Sequence, residues 1–123
     1  MKKINIDEKL SQFSEHWSPK IVAELNGQQV KVAKLLGEFD WHFHENEDEL
    51  FWVIRGSLEM HIREADAERS VEINPGEVFV VPRGVMHKPV AKSEVELVLF
   101  EPASTLNTGN VENERTQVEL KRI

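Results

Sequence analysis

The sequence predicts an all-β protein, a barrel or sandwich of short strands with one short helix in front. Three features carry this reading. Apolar residues recur in short runs with strand-like alternation. Turn signals separate these runs at close intervals, at Gly37, Gly56, Asn74-Pro75-Gly76 and Pro82-Arg83-Gly84. Asn26-Gly27 stands between two such runs, and a tight type I′ hairpin turn favours this pair because its central positions need positive φ.

The elements follow in order. Leu10, Phe13 and Trp17 recur at helical spacing, with Asn5 or Asp7 available as a cap. Residues 7–17 are therefore expected to form a helix that Ser18-Pro19 ends, held in place only by docking. Residues 21–25 and 28–36 form the hairpin around Asn26-Gly27. In its second arm Val30 and Val32 alternate with Gln29, Lys31 and Lys34, which places these polar residues outward. Further strands are expected over 39–44, 50–55, 58–63, 69–73, 77–81, 86–91 and 94–100, with residues 64–68 as a polar hairpin tip. Pro102 to Asn113 is rich in Thr, Asn and Gly and reads as irregular. Residues 117–123 read as an edge strand open to a second subunit. No repeat or low-complexity tract interrupts the pattern. The chain is read as one domain over 1–123, with its barrel at about 20–101 and a tail at 102–123.

Composition narrows the function. A chain of 123 residues can bury one substantial core. The net charge of −7 repels phosphate backbones, so no nucleic-acid partner is expected. There is no cysteine, which rules out disulfides, thiolate ligands and a cysteine nucleophile. No apolar run is long enough for a membrane span, and Lys2-Lys3 is not followed by an apolar signal core. The expectation is a soluble cytoplasmic protein without a membrane partner.

One constellation carries chemistry. His42-Phe43-His44 sits in a strand-like run, and side chains at i and i+2 share a face. Glu49 follows an acidic stretch, and His87 follows the Pro82-Arg83-Gly84 turn. Three imidazoles and one carboxylate fill four positions around a divalent ion and leave room for water or substrate. Iron, manganese, nickel, copper and zinc all suit this set.

These residues stand in two longer motifs. The segment Gly37-Glu-Phe-Asp-Trp-His42-Phe-His44-Glu-Asn-Glu-Asp-Glu49-Leu-Phe-Trp-Val-Ile-Arg-Gly56 resembles the first motif of the cupin superfamily, and Gly76-Glu-Val-Phe-Val-Val-Pro82-Arg-Gly84-Val-Met-His87 resembles the second. Two departures stand out. Gly37 and His42 are one residue closer than in the family pattern, and Ala91 occupies a place where asparagine is frequent. The resemblance implies a jelly-roll barrel, or double-stranded β-helix, commonly a homodimer. It makes His42, His44, Glu49 and His87 the ligands of one divalent transition metal. The chain is most similar to small single-domain cupins of the mannose-6-phosphate isomerase-like kind, a label that reflects fold more than activity.

Other candidates read more simply. Glu45, Glu47 and Asp48 form a solvated turn. His16, on the helix, and His61, on a charged strand, are surface histidines. Arg55 and Arg83 read as solvated, although either would suit an anionic substrate group. Trp41 and Trp52 lie on the parity opposite to the ligands and are expected to pack on the second sheet, the helix or a partner. Thr105 to Asn110 reads as turn chemistry.

Three functions follow from an open metal site. It can serve an enzyme (isomerase, lyase or dioxygenase) acting on a small polar or anionic metabolite. Alternatively it can serve a non-catalytic binding or sensing module, or merely tie strands together. No separate general base is evident, so catalytic residues stay unassigned.

Overall fold

A computed structural model describes residues 1–123. Its elements are α1 (Ile6–Leu10), β1 (Lys20–Leu25), β2 (Gln28–Glu38), β3 (Glu49–Arg55), β4 (Leu58–Glu64), β5 (Ala67–Ile73), β6 (Val78–Val81) and β7 (Met86–Pro102). The all-β reading holds. Asn26 and Gly27 adopt φ of 50° and 78°, as the hairpin turn requires, and Ala65 and Asp66 make the second tight turn at 47° and 63°.

Strand β7 organises the sheet. One side pairs with β2 from Gln28↔Pro102 to Glu38↔Val90. The other side pairs first with β4, over Met86–Val90, and then with β3, over Glu96–Phe100. Separate strands at 86–91 and 94–100 were expected, but the exposed Lys92-Ser93-Glu94 stays extended and joins them. Gly56 lies against this stretch at φ +87°, where a Cβ would meet the Glu94 carbonyl oxygen at 2.6 Å. Ala33 and Leu35 (β2), Phe51 and Val53 (β3), Met60 and Ile62 (β4), Ile73 (β5), Val81 (β6), and Leu97 and Leu99 (β7) meet in one core.

Four expectations need correction. The helix stops at Leu10 and does not reach Trp17. Leu10, together with Phe13, packs in a small cluster with Val32 and Val98, whereas Trp17 packs against the main core, so the helical spacing served two different sites. Trp17 takes φ 58°, stacks on Phe39 at 4.8 Å and donates its Nε1–H to the Leu36 carbonyl. Residues 39–44 are not a strand; they meet β7 through a His42↔His87 bridge and a Phe39 N–H to Pro89 carbonyl bond. Residues 117–123 do not form a regular strand and bridge once, at Arg122, to Ile21. Ile21 donates to Lys121 and accepts from Ile123, beside β1 of the same chain. Finally, Lys31 points inward with Gln29, because the interior face of β2 is the one carrying Ala33 and Leu35.

The two tryptophans have different surroundings. Trp41 lies against His61, under the Arg63 guanidinium at 4.0 Å. Trp52 is 42% exposed beside Val78.

Candidate metal centre

The backbones of His42 and His87 pair with each other. His42 N–H donates to the His87 carbonyl at 3.0 Å, and His87 N–H donates to the His42 carbonyl at 2.9 Å. This bridge sets the two rings 4.3 Å apart. His44, two residues on, turns its ring to the same side, 5.1 Å from His42. Glu49 opens β3, paired to Val81, and its Oε1 lies 3.5 Å from Nε2 of both His44 and His87. All four residues are buried, and their ligand atoms lie within 4.8 Å of one another.

Backbone carbonyls aim two of the rings. His42 Nδ1 donates to Asp40 O at 2.8 Å, and His87 Nδ1 donates to Val85 O at 2.9 Å, which leaves each Nε2 for the centre. Both ring nitrogens of His44, and Nε2 of His87, are buried without a hydrogen-bond partner. Such atoms are costly to bury. A divalent cation satisfies one nitrogen of His44 and Nε2 of His87, so the residues present fit a metal ion.

The group is tuned for this. Burial, and then His87, lower the His42 pKa to about 4, so its imidazole is neutral and free to ligate at neutral pH. Burial works against the Glu49 carboxylate, but the adjoining Glu101, His44 and His87 outweigh it and hold Glu49 well below its usual range. Burial and the adjoining Glu49 push Glu101 well above that range.

Sequence reasoning missed two residues here. Lys31 and Glu101 are both buried and pair at 2.7 Å. Glu101 was not singled out, and Lys31 was read as solvent-facing. The one available signal was that Lys31 shares its parity with Ala33 and Leu35.

These two residues, together with His42 and Glu49, line a partly open cavity of about 50 Å³. Its remaining walls are largely apolar, including Ala33, Leu35, Phe51, Leu97 and Leu99. Lining residues that reach solvent are Trp17, Asn107 and Leu120, and these mark its mouth.

The tail expected to be irregular has no regular structure, but it is tied to the site. Asn110 Oδ1 accepts from Phe43 N–H at 2.9 Å, and Asn113 Nδ2 donates to Asp40 Oδ2 at 2.9 Å. Arg115 donates to the Glu38 carbonyl, and Thr108 is fully buried against Thr116.

The remaining candidates stay outside the centre. Glu45 is exposed, Glu47 accepts from Ser104, and Asp48 accepts from the Arg83 amide. Arg55 pairs with Asp7 and Glu96. His16 pairs with Glu94, and His61 with Glu59.

Residues 24–101 match the cupin domain model, a span that holds β2 to β6, most of β7 and all four clustered side chains. The chain belongs to the cupin family. This cupin is 42% identical to a cupin-2 domain containing protein of Shewanella frigidimarina, with TM-score 0.76 over 80% of this chain and 93% of that one. Protein YdbB of Bacillus subtilis is 34% identical over 54% of this chain, and 3-hydroxyanthranilate 3,4-dioxygenase of Xenopus laevis is 29% identical over 80% of it. The cupin spans 57% of the first of these relatives and 36% of the second.

Proposed function

We propose that His42, His44, Glu49 and His87 bind one divalent transition metal, and that this cupin is a dioxygenase for a small aromatic substrate. The observation that carries the reading is a buried donor set, of which His42 and Glu49 line a largely apolar cavity. When bound, the metal supplies Lewis-acid activation of a substrate oxygen and, if it is iron, access to dioxygen. The protein contributes aligned imidazoles, a carboxylate held ionised, and walls that exclude water.

The walls favour this substrate class over a sugar phosphate. A sugar phosphate buries many polar groups, each of which needs a partner. Beyond the donor set, the cavity side chains that offer hydrogen bonds are Lys31, Glu101, Asn107 and the Trp17 indole, and the indole N–H is already committed to Leu36. An aromatic ring matches the leucine and phenylalanine surfaces. Similarity to 3-hydroxyanthranilate 3,4-dioxygenase supports the same choice. A cavity of about 50 Å³ holds only a few heavy atoms as it stands, so a ring enters by displacing Trp17 and Leu120 at the mouth.

The test is anaerobic loading with ferrous iron, followed by oxygen-uptake assays on a panel of phenols, catechols and aminophenols, with sugar phosphates as the contrasting set. Oxygen uptake coupled to loss of one aromatic substrate is the expected result. Isomerisation of a sugar phosphate, or ligand binding without turnover across the panel, overturns the dioxygenase reading.

A further inference from the structure

We infer that the Lys31–Glu101 pair is a substrate-binding subsite, which selects aromatic ligands carrying a hydrogen-bond-donating group next to the oxygen that meets the metal. The inference rests on the aromatic-substrate reading above and adds the polar group that is recognised.

Stability does not account for the pair. Lys31 is 1% exposed and Glu101 2%, so the amine and the carboxyl group are both taken fully out of water. A buried ion pair commonly does no better for stability than apolar residues of similar volume. The surrounding positions Ala33, Leu97 and Leu99 show that the interior accepts apolar side chains here.

The pair also has unused hydrogen-bonding capacity. Lys31 Nζ carries three N–H donors, and Glu101 Oε1 at 2.7 Å is its one side-chain partner. Glu101 Oε2 is buried and receives no N–H or O–H from a neighbouring donor; what faces it is a second acid, Glu49. Both residues line the cavity beside His42 and Glu49. A ligand with one oxygen at the metal and a neighbouring hydroxyl or amine directed at Oε2 supplies the missing donor. A spare Lys31 N–H then meets a lone pair of the same group. An analogue lacking that group leaves both unsatisfied, the situation in which polar sites discriminate most strongly.

The test uses the full chain loaded with cobalt(II), under nitrogen, titrated calorimetrically with catechol and with phenol. The wild type is expected to bind catechol at least ten times more tightly than phenol. The K31M/E101L variant is expected to retain one stoichiometric cobalt, to melt no lower than wild type, and to lose the preference for catechol. Should that variant fail to fold, Glu101→Gln decides: it keeps the volume and a carbonyl for Lys31 but turns a donor amide toward the ligand, so the preference again disappears. A variant that keeps the full preference overturns the inference and leaves the aromatic-substrate reading standing. Loss of stoichiometric cobalt also overturns it, since the pair then serves the metal group. Failure of the wild type to bind either compound overturns both.

Discussion

Phe43 and Asn110 hold each other through two hydrogen bonds. The Phe43 amide donates to the Asn110 side-chain carbonyl at 2.9 Å, and the Asn110 amide donates to the Phe43 carbonyl at 3.0 Å. Phe43 lies between His42 and His44. The tail therefore fixes the backbone from which both imidazoles project, and Asn113 reinforces it through Asp40, whose carbonyl orients the His42 ring.

Gly109 makes this arrangement testable. A Cβ there would lie 2.3 Å from the Phe43 carbonyl oxygen and 3.0 Å from His42 Cδ2, so Gly109→Val must displace the His42–Phe43 backbone. Orienting partners of this kind typically contribute 10- to 100-fold in metal affinity. Gly109→Val and Asn110→Ala are each expected to weaken zinc binding by about tenfold or more, as measured by competition with a chelating dye. Unchanged affinity in both would detach the tail from the site.

The donor set itself gives the plainest prediction. His44→Ala or His87→Ala is expected to lose most metal affinity while circular dichroism shows an intact fold, since the His44 ring makes no hydrogen bond and the His87 ring makes one, to the Val85 carbonyl two residues away. Metal is expected to raise the melting temperature of the wild type, because it binds only the folded state, and to leave the double variant unmoved. Stoichiometric metal in H44A/H87A, measured by elemental analysis, would refute the assignment.

Acid should destabilise the metal-free protein through His42. Its folded pKa of about 4 lies below the usual 6.5, so between these values the unfolded chain takes up a proton that the folded chain refuses. This contribution is fully present above pH 6.5, is lost as pH falls, and levels off below about 4. The loss amounts to about 3 kcal/mol at most. Urea unfolding in EDTA at pH 7 and pH 5 should show a larger drop for wild type than for His42→Gln. Equal drops would show that His42 is not held neutral.

Leu10 anchors the short helix against Val32 and Val98 and is fully buried. Leu10→Ala is expected to cost roughly 2–5 kcal/mol, the range for emptying a buried leucine site. Hydrogen exchange should quicken over residues 6–13 while the β3–β7 amides stay protected. A loss below 1 kcal/mol would mean that the helix does not brace the barrel.

Much of this protein was legible in the sequence because the signals involved are local. Strand alternation, the Asn26-Gly27 turn and the spacing of His42, His44 and Glu49 depend on neighbours a few residues away, and the β-rich fold, the hairpin and the grouping of those side chains follow from them. The extent of the helix was not legible, because Leu10 and Trp17 share a spacing but pack in different clusters. Nor was the direction of Lys31. A lysine on an alternating strand reads as outward since burying an ammonium is costly, and here the cost is offset by Glu101, seventy residues along the chain. The tail's hold on Phe43 and Asp40 is of the same long-range kind. Tertiary structure alone decided these features, because a polar group's partner, and hence whether it can be buried, is set by which distant strands and loops the fold brings against it.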